Sequence, residues 1–85
     1  MQFKDIPTGE IFTIGNTPSY PKYKTDAGYI DIRDEIVKDG DCNFPVRLMT
    51  DKEISIAFYG ATRAEAKKAS REKLRASIKK LGENK

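Results

Sequence analysis

The segment from Thr62 to Leu81 reads TRAEAKKASREKLRASIKKL and carries the clearest structural signal in the chain. It opens on Thr62-Arg63-Ala64-Glu65, a capping box in which the threonine oxygen accepts from the third helical amide and the glutamate accepts from the threonine amide. Strong helix formers follow, and no proline or glycine interrupts them before Gly82. The segment therefore predicts a helix over roughly 62–81, with Gly82 in the left-handed conformation at its end.

The first sixty residues predict short strands. Isoleucine, phenylalanine and tyrosine alternate there with polar residues, and turn residues separate the runs. We expect strands over 11–14, 29–33, 44–49 and 54–59, with a tight connection at Asp51-Lys52 before the last one. The segment Tyr20-Pro21-Lys22-Tyr23-Lys24 contains Pro21 and follows Pro18, so two prolines fall within four residues. This favours an exposed edge or a loop over a central strand.

These elements predict one α+β domain over residues 1–85. The expected architecture is an antiparallel sheet of four or five short strands, covered on one face by the C-terminal helix. Partial closure of the sheet into a small barrel stays open as an alternative. A chain of 85 residues has no room for a second compact domain, so 1–60 forms the β-rich part and 62–81 the covering helix.

Composition excludes several classes of protein. The chain has no histidine and one cysteine, Cys42, which removes the usual general base, the Ser-His and Cys-His nucleophile pairs and nearly every zinc site. Asp39-Gly40-Asp41 resembles half of a calcium loop, but Phe44 stands where that loop requires glycine. We therefore expect a non-enzymatic protein without metal or cofactor. Without a membrane span, a signal peptide or a disulfide, it is expected in the cytoplasm and not at a membrane.

The net charge of +3 hides an asymmetry between the two parts of the chain. Residues up to Gly60 carry a net charge of −3, whereas the residues after it carry +6. Cations on one helix face attract phosphate and release counterions when they bind it. The leading hypothesis is therefore a small nucleic-acid-binding or accessory protein, the alternative for this helix being a merely solvated face. The expected phosphate contacts are Arg63, Lys67, Lys68, Arg71, Arg75 and Lys79.

A second group of candidate nucleic-acid contacts lies in the predicted edge segment. Tyr20, Lys22, Tyr23 and Lys24 interleave rings with cations, a combination that stacks bases and neutralises phosphates of a single strand. The alternative is that the tyrosines cover one end of the core.

The runner-up function is a protein-interaction module or a small inhibitor. It would dock on a protein partner through an acidic sheet face or an exposed edge strand. Attraction between the basic helix and the acidic sheet also predicts self-association. The acidic candidates are Asp31, Asp34, Glu35, Asp39 and Asp41.

Two nucleic-acid-binding families resemble the segment Gly60–Lys73. A glycine loop leading into a helix rich in lysine and alanine is similar to the end of double-stranded-RNA-binding domains, and this resemblance implies phosphate contacts for Arg63 and Lys67. The same strand-to-helix junction resembles the AP2-like, arm-type DNA-binding domains of phage integrases, in which the sheet enters the major groove. HicB-type antitoxins show a similar Thr-x-x-Glu-Ala entry. The opening, from Phe3 to Phe12, looks like the start of small β-rich bacterial and phage proteins.

Overall fold

The structure is a computed structural model that describes residues 2–17 and 19–83. A short 3-10 turn, Phe3–Asp5, precedes five strands and two helices. In chain order these are β1 (Ile11–Ile14), β2 (Lys22–Lys24), β3 (Gly28–Asp31), β4 (Ile36–Asp39), β5 (Val46–Leu48), α1 (Asp51–Ala57) and α2 (Arg63–Glu83).

The five strands form one antiparallel sheet in the order β4-β3-β2-β1-β5. β4 and β5 are the two edges of this sheet, so the sheet is open and does not close into a barrel. The predicted α+β class, with an antiparallel sheet and a C-terminal helix, is confirmed. No helix within the described residues combines the length and the apolar character needed to cross a bilayer.

Apolar side chains cover both faces of the sheet. Ile11 of β1 packs against Ile54 of α1 and Ala66 of α2 on the face that carries the helices. Phe12 points to the opposite face, where it packs with Phe3 and Ile6 of the N-terminal segment. Because successive strand residues point to opposite faces, β1 is buried on both sides and forms the centre of the core.

The expected exposed edge at Tyr20–Lys24 is wrong. β2 lies between β1 and β3, and both Lys22 and Tyr23 are buried. Pro21 immediately precedes the strand, so its missing amide removes no hydrogen bond from the interior of the ladder. A proline at this position is compatible with a central strand.

The expected strand over 54–59 is also wrong, because residues 51–57 form α1. Thr50 caps this helix, and its side chain accepts from the Glu53 amide while the Glu53 carboxylate accepts from the Thr50 amide. This is a second capping box of the kind that begins α2. Within α1, Ile54 faces the core and Ile56 is largely exposed, as helical and not strand periodicity requires.

Smaller differences concern the ends of elements. The strand expected over 29–33 ends at Asp31, after which the chain turns into β4, an edge strand that the hydrophobic pattern did not reveal. The helix expected over 62–81, with Gly82 as the left-handed residue at its end, instead continues through Gly82 to Glu83.

Candidate nucleic-acid interface

Small residues set the position of α2 on the sheet. Ala66 and Ser70 are completely buried, and the Ser70 hydroxyl donates to the Ala66 carbonyl one turn earlier. At the start of the helix, Thr62 and Glu65 form the predicted capping box. The hydrogen bonds from the Thr62 amide and hydroxyl to the Glu65 carboxylate lower the pKa of Glu65. The helix therefore lies close to the sheet along one face and leaves its opposite face to solvent.

Two of the six predicted phosphate contacts are engaged within the protein. Lys67 forms an ion pair and donates a hydrogen bond to Glu10, the residue that precedes β1. Arg63 pairs with Glu10 at 3.5 Å and with Asp51 at 2.9 Å, and it also donates to the Met49 carbonyl at 2.7 Å. These two cations attach α2 to the sheet and to α1. Their charges are therefore largely compensated inside the fold.

The other four predicted cations point away from the sheet. Lys68, Arg71, Arg75 and Lys79 are exposed, and none of them has an ion pair among the side chains that the structure describes. They recur every three or four residues, so they form one row on the helix. We call this row the cationic stripe. At a rise of 1.5 Å per residue, it is about 16 Å long.

The predicted aromatic and cationic cluster is divided by the fold. Lys22 pairs with Asp31 at 3.1 Å, and Tyr23 packs in the core against Ile30. Lys24 lies 4.6 Å from the centre of the Phe3 ring and donates to the Phe3 carbonyl. Only Tyr20 is substantially exposed. Three of these four residues therefore stabilise the fold and do not form a binding surface.

The predicted acidic face is divided as well. Asp31 accepts from Lys22, and Glu35 pairs with Lys73 of α2 at 3.5 Å. Asp34 lies in the turn before β4, where its amide donates to Asp31, whereas Asp39 lies at the far end of that strand, about 10 Å from Ile36 at roughly 3.3 Å per residue. Asp41 follows in the next loop and is exposed. The structure does not bring the five acids together into one surface.

An apolar groove on the helix face was not predicted from the sequence. It contains Phe58 and the largely exposed Ile56 and Tyr59, three residues of the strand expected over 54–59. The signal that reveals α1, and with it this groove, is the Thr50-x-x-Glu53 capping box. Glu53 at the groove is bound through both carboxylate oxygens by Arg47 at 2.7 Å. The Arg47 guanidinium, together with the Thr50 amide, lowers the pKa of Glu53 to about 2.

Among the described residues, no three acidic or cysteine side chains are gathered as a metal site would require. The thiol of Cys42 is free and half-buried beside the aromatic cluster of Phe3, Phe12 and Tyr29. The pKa of Tyr29 is raised, mainly by burial of its hydroxyl and to a smaller extent by the nearby Cys42 thiol and Asp31 carboxylate.

No protein-family model, curated protein or solved structure matches the chain. The resemblances to double-stranded-RNA-binding and AP2-like domains thus stay predictions, and the case for a function depends on the surface just described.

Proposed function

We propose that this protein is a small non-enzymatic nucleic-acid-binding protein that contacts phosphates through the cationic stripe of α2. The observation that carries the proposal is the absence of ion-pair partners for Lys68, Arg71, Arg75 and Lys79 among the described side chains. Exposed cations without internal partners lose little when they bind a phosphate, since no existing ion pair has to break. Lys67 and Arg63 would have to leave Glu10 first.

The expected binding mode follows from what the stripe contains. Lysine and arginine contacts to phosphates position a nucleic acid without reading its sequence. The stripe has no aromatic side chain between its cations, and Glu72 is the acidic residue of α2 nearest to it in sequence. The protein should therefore bind nucleic acid with affinity that depends strongly on salt and weakly on sequence.

Fluorescence anisotropy of labelled single-stranded DNA, duplex DNA and duplex RNA tests this proposal at about 50 and 200 mM salt. Four phosphate contacts give a slope of about −3.6 in log affinity against log salt, and so roughly a 100-fold loss of affinity over this range. Charge reversal by Arg71→Glu and Arg75→Glu should lower the affinity at least about tenfold and reduce the slope by about half.

A matched control separates the stripe from the overall charge. Lys38→Glu and Lys52→Glu change the net charge by the same amount, and both lysines are exposed and lie outside α2, one on β4 and one on α1. This control should keep most of the affinity of the wild type. Equal losses in the two double variants would mean that binding follows net charge alone, and absence of binding at low salt would refute the proposal.

The open edge of β4 supports a second candidate function, strand addition by a protein partner. Gly40 donates to the Ala27 carbonyl, so the alternation of antiparallel ladders directs the amides of Val37 and Asp39 away from β3. Ile36 on the same strand is 46% exposed. A partner strand could pair with these amides. Asp39→Pro removes one outward amide and should weaken such a partner while leaving nucleic-acid binding unchanged.

A further inference from the structure

An open groove of about 680 Å³ lies on the helix face of the sheet. Its lining includes Pro21 before β2, Ile32 after β3 and Phe58 at the end of α1. Ile56 of α1, Tyr59 just after α1, Arg33 and Lys73 also line the groove. The volume falls within the range of about 300–1,000 Å³ that is usual for ligand clefts.

Tyr59 is the residue of the groove that the fold explains least. Its side chain is 99% exposed, so its ring contributes almost nothing to the core. Its backbone has a φ of 57°, in the left-handed region that bulky residues rarely adopt. Glycine or asparagine would fit this turn better. A tyrosine there reduces stability in the free protein and presents a large ring to solvent.

The charges around the groove are not balanced. The guanidinium of Arg33 lies 4.8 Å from the centre of the Tyr20 ring and has no ion pair among the described residues. Lys73 pairs with Glu35 at 3.5 Å, and both of these side chains are partly exposed to solvent. The acid among the described lining residues, Glu53, is already neutralised by Arg47. The uncompensated charge of the groove is therefore positive.

We propose that this groove binds a short peptide segment of a protein partner in which apolar side chains alternate with carboxylates. The apolar side chains would cover Ile56, Phe58 and Tyr59, and a carboxylate would pair with Arg33. A small molecule held inside the groove would leave the Tyr59 ring in water, whereas a peptide extends over the rim. Exposed tyrosine and arginine side chains are also the residues that most often dominate the energetics of protein interfaces.

The test is a selection from a random peptide library displayed on phage against the full-length protein. The expected result is enrichment of peptides that combine aromatic or aliphatic residues with aspartate or glutamate. The selected peptide should bind Tyr59→Gly at least about tenfold more weakly by fluorescence anisotropy. Arg33→Glu should weaken it as well, and a repeated selection against that variant should favour basic peptides.

Controls make each outcome decisive. Tyr59→Gly should unfold at no lower denaturant concentration than the wild type, so its loss of binding cannot be attributed to unfolding. Phe44→Ala removes a ring that is 66% exposed on another surface, and it should bind the peptide as the wild type does. Arg71→Glu with Arg75→Glu should also keep peptide binding, which separates this site from the cationic stripe.

Three results would overturn the proposal. The first is a selection without enrichment, and the second is enriched peptides whose binding is insensitive to Tyr59→Gly. The third is displacement of the selected peptide by a single-stranded oligonucleotide whose own binding is lost in Tyr59→Gly. That result would assign the groove to nucleic-acid bases instead of a protein partner.

Discussion

Lys22 and Asp31 should be needed for stability and not for binding, because their ion pair lies within the sheet. The two residues face each other across β2 and β3, with Nζ and Oδ2 3.1 Å apart. Their side chains are 9% and 17% exposed. Asp31→Asn removes the charge, while the amide oxygen can still accept from the backbone amides of Arg33 and Asp34. Among the described residues, the Tyr20 carbonyl at 3.2 Å would then be the one remaining partner of the Lys22 ammonium.

The expected loss of stability follows from this burial. Removal of one partner from a fully buried pair costs about 3–5 kcal/mol, because the other charge stays desolvated. Asp31 keeps some contact with solvent, which reduces the value, and we expect Asp31→Asn to cost about 2 kcal/mol. In a domain of this size such a loss lowers Tm by about 8–16 °C.

Urea unfolding of a double-mutant cycle measures this effect. Lys22→Met keeps most of the aliphatic stem, and the double variant with Asp31→Asn should lose less than the sum of the two single losses by about 1 kcal/mol. A loss below about 0.5 kcal/mol for Asp31→Asn would refute the argument that the pair is desolvated. Lys22→Met should also retain the nucleic-acid affinity of the wild type.

Three further predictions follow from single sites. Gly28→Ala should destabilise the protein by about 3 kcal/mol and expose the amides of β4 to hydrogen exchange, because the added Cβ would lie 2.0 Å from the Lys38 carbonyl oxygen. The folded pKa of Glu53, about 2, lies below the ordinary value of 4.5, so its pairing with Arg47 stabilises the protein above about pH 4.5 and this contribution is lost as pH falls towards 2. Unfolding midpoints measured against pH should therefore decline less for Glu53→Gln than for the wild type. Glu10→Gln releases Lys67 from its ion pair and leaves Arg63 paired with Asp51, so it should raise nucleic-acid affinity about threefold with a steeper salt dependence, as anisotropy would show.

Local signals in the sequence were sufficient for α2 and β1. The Thr62–Glu65 capping box and an uninterrupted run of helix formers predicted α2, and the structure begins the helix within one residue of that position. The strand at 11–14 was predicted with its observed bounds. Both depend on residues within a few positions of each other, so a short window contains the whole cause.

A capping box also marks the start of α1, but the strand-like alternation of the apolar residues after it favoured a strand. Thr50 and Glu53 have the spacing of a capping box, while Ile54, Ile56 and Phe58 alternate as a strand would. Such a short apolar run is ambiguous between the two periods. The helical conformation lets Ile54 pack against Ile11 and Ala66 in the core. Those partners are distant in the chain, so a local window of sequence does not contain them.

The candidate surface shows the same division between local and distant causes. The sequence by itself determined that α2 is basic and amphipathic, since helical spacing assigns each cation to a face. The tertiary structure alone decided which cations remain available, because Lys67 and Arg63 meet Glu10 more than fifty residues away in the chain. It also placed Lys22 and Tyr23 inside the sheet by pairing β2 between β1 and β3. Exposure and ion pairing depend on contacts between distant segments, and only the folded chain brings those segments together.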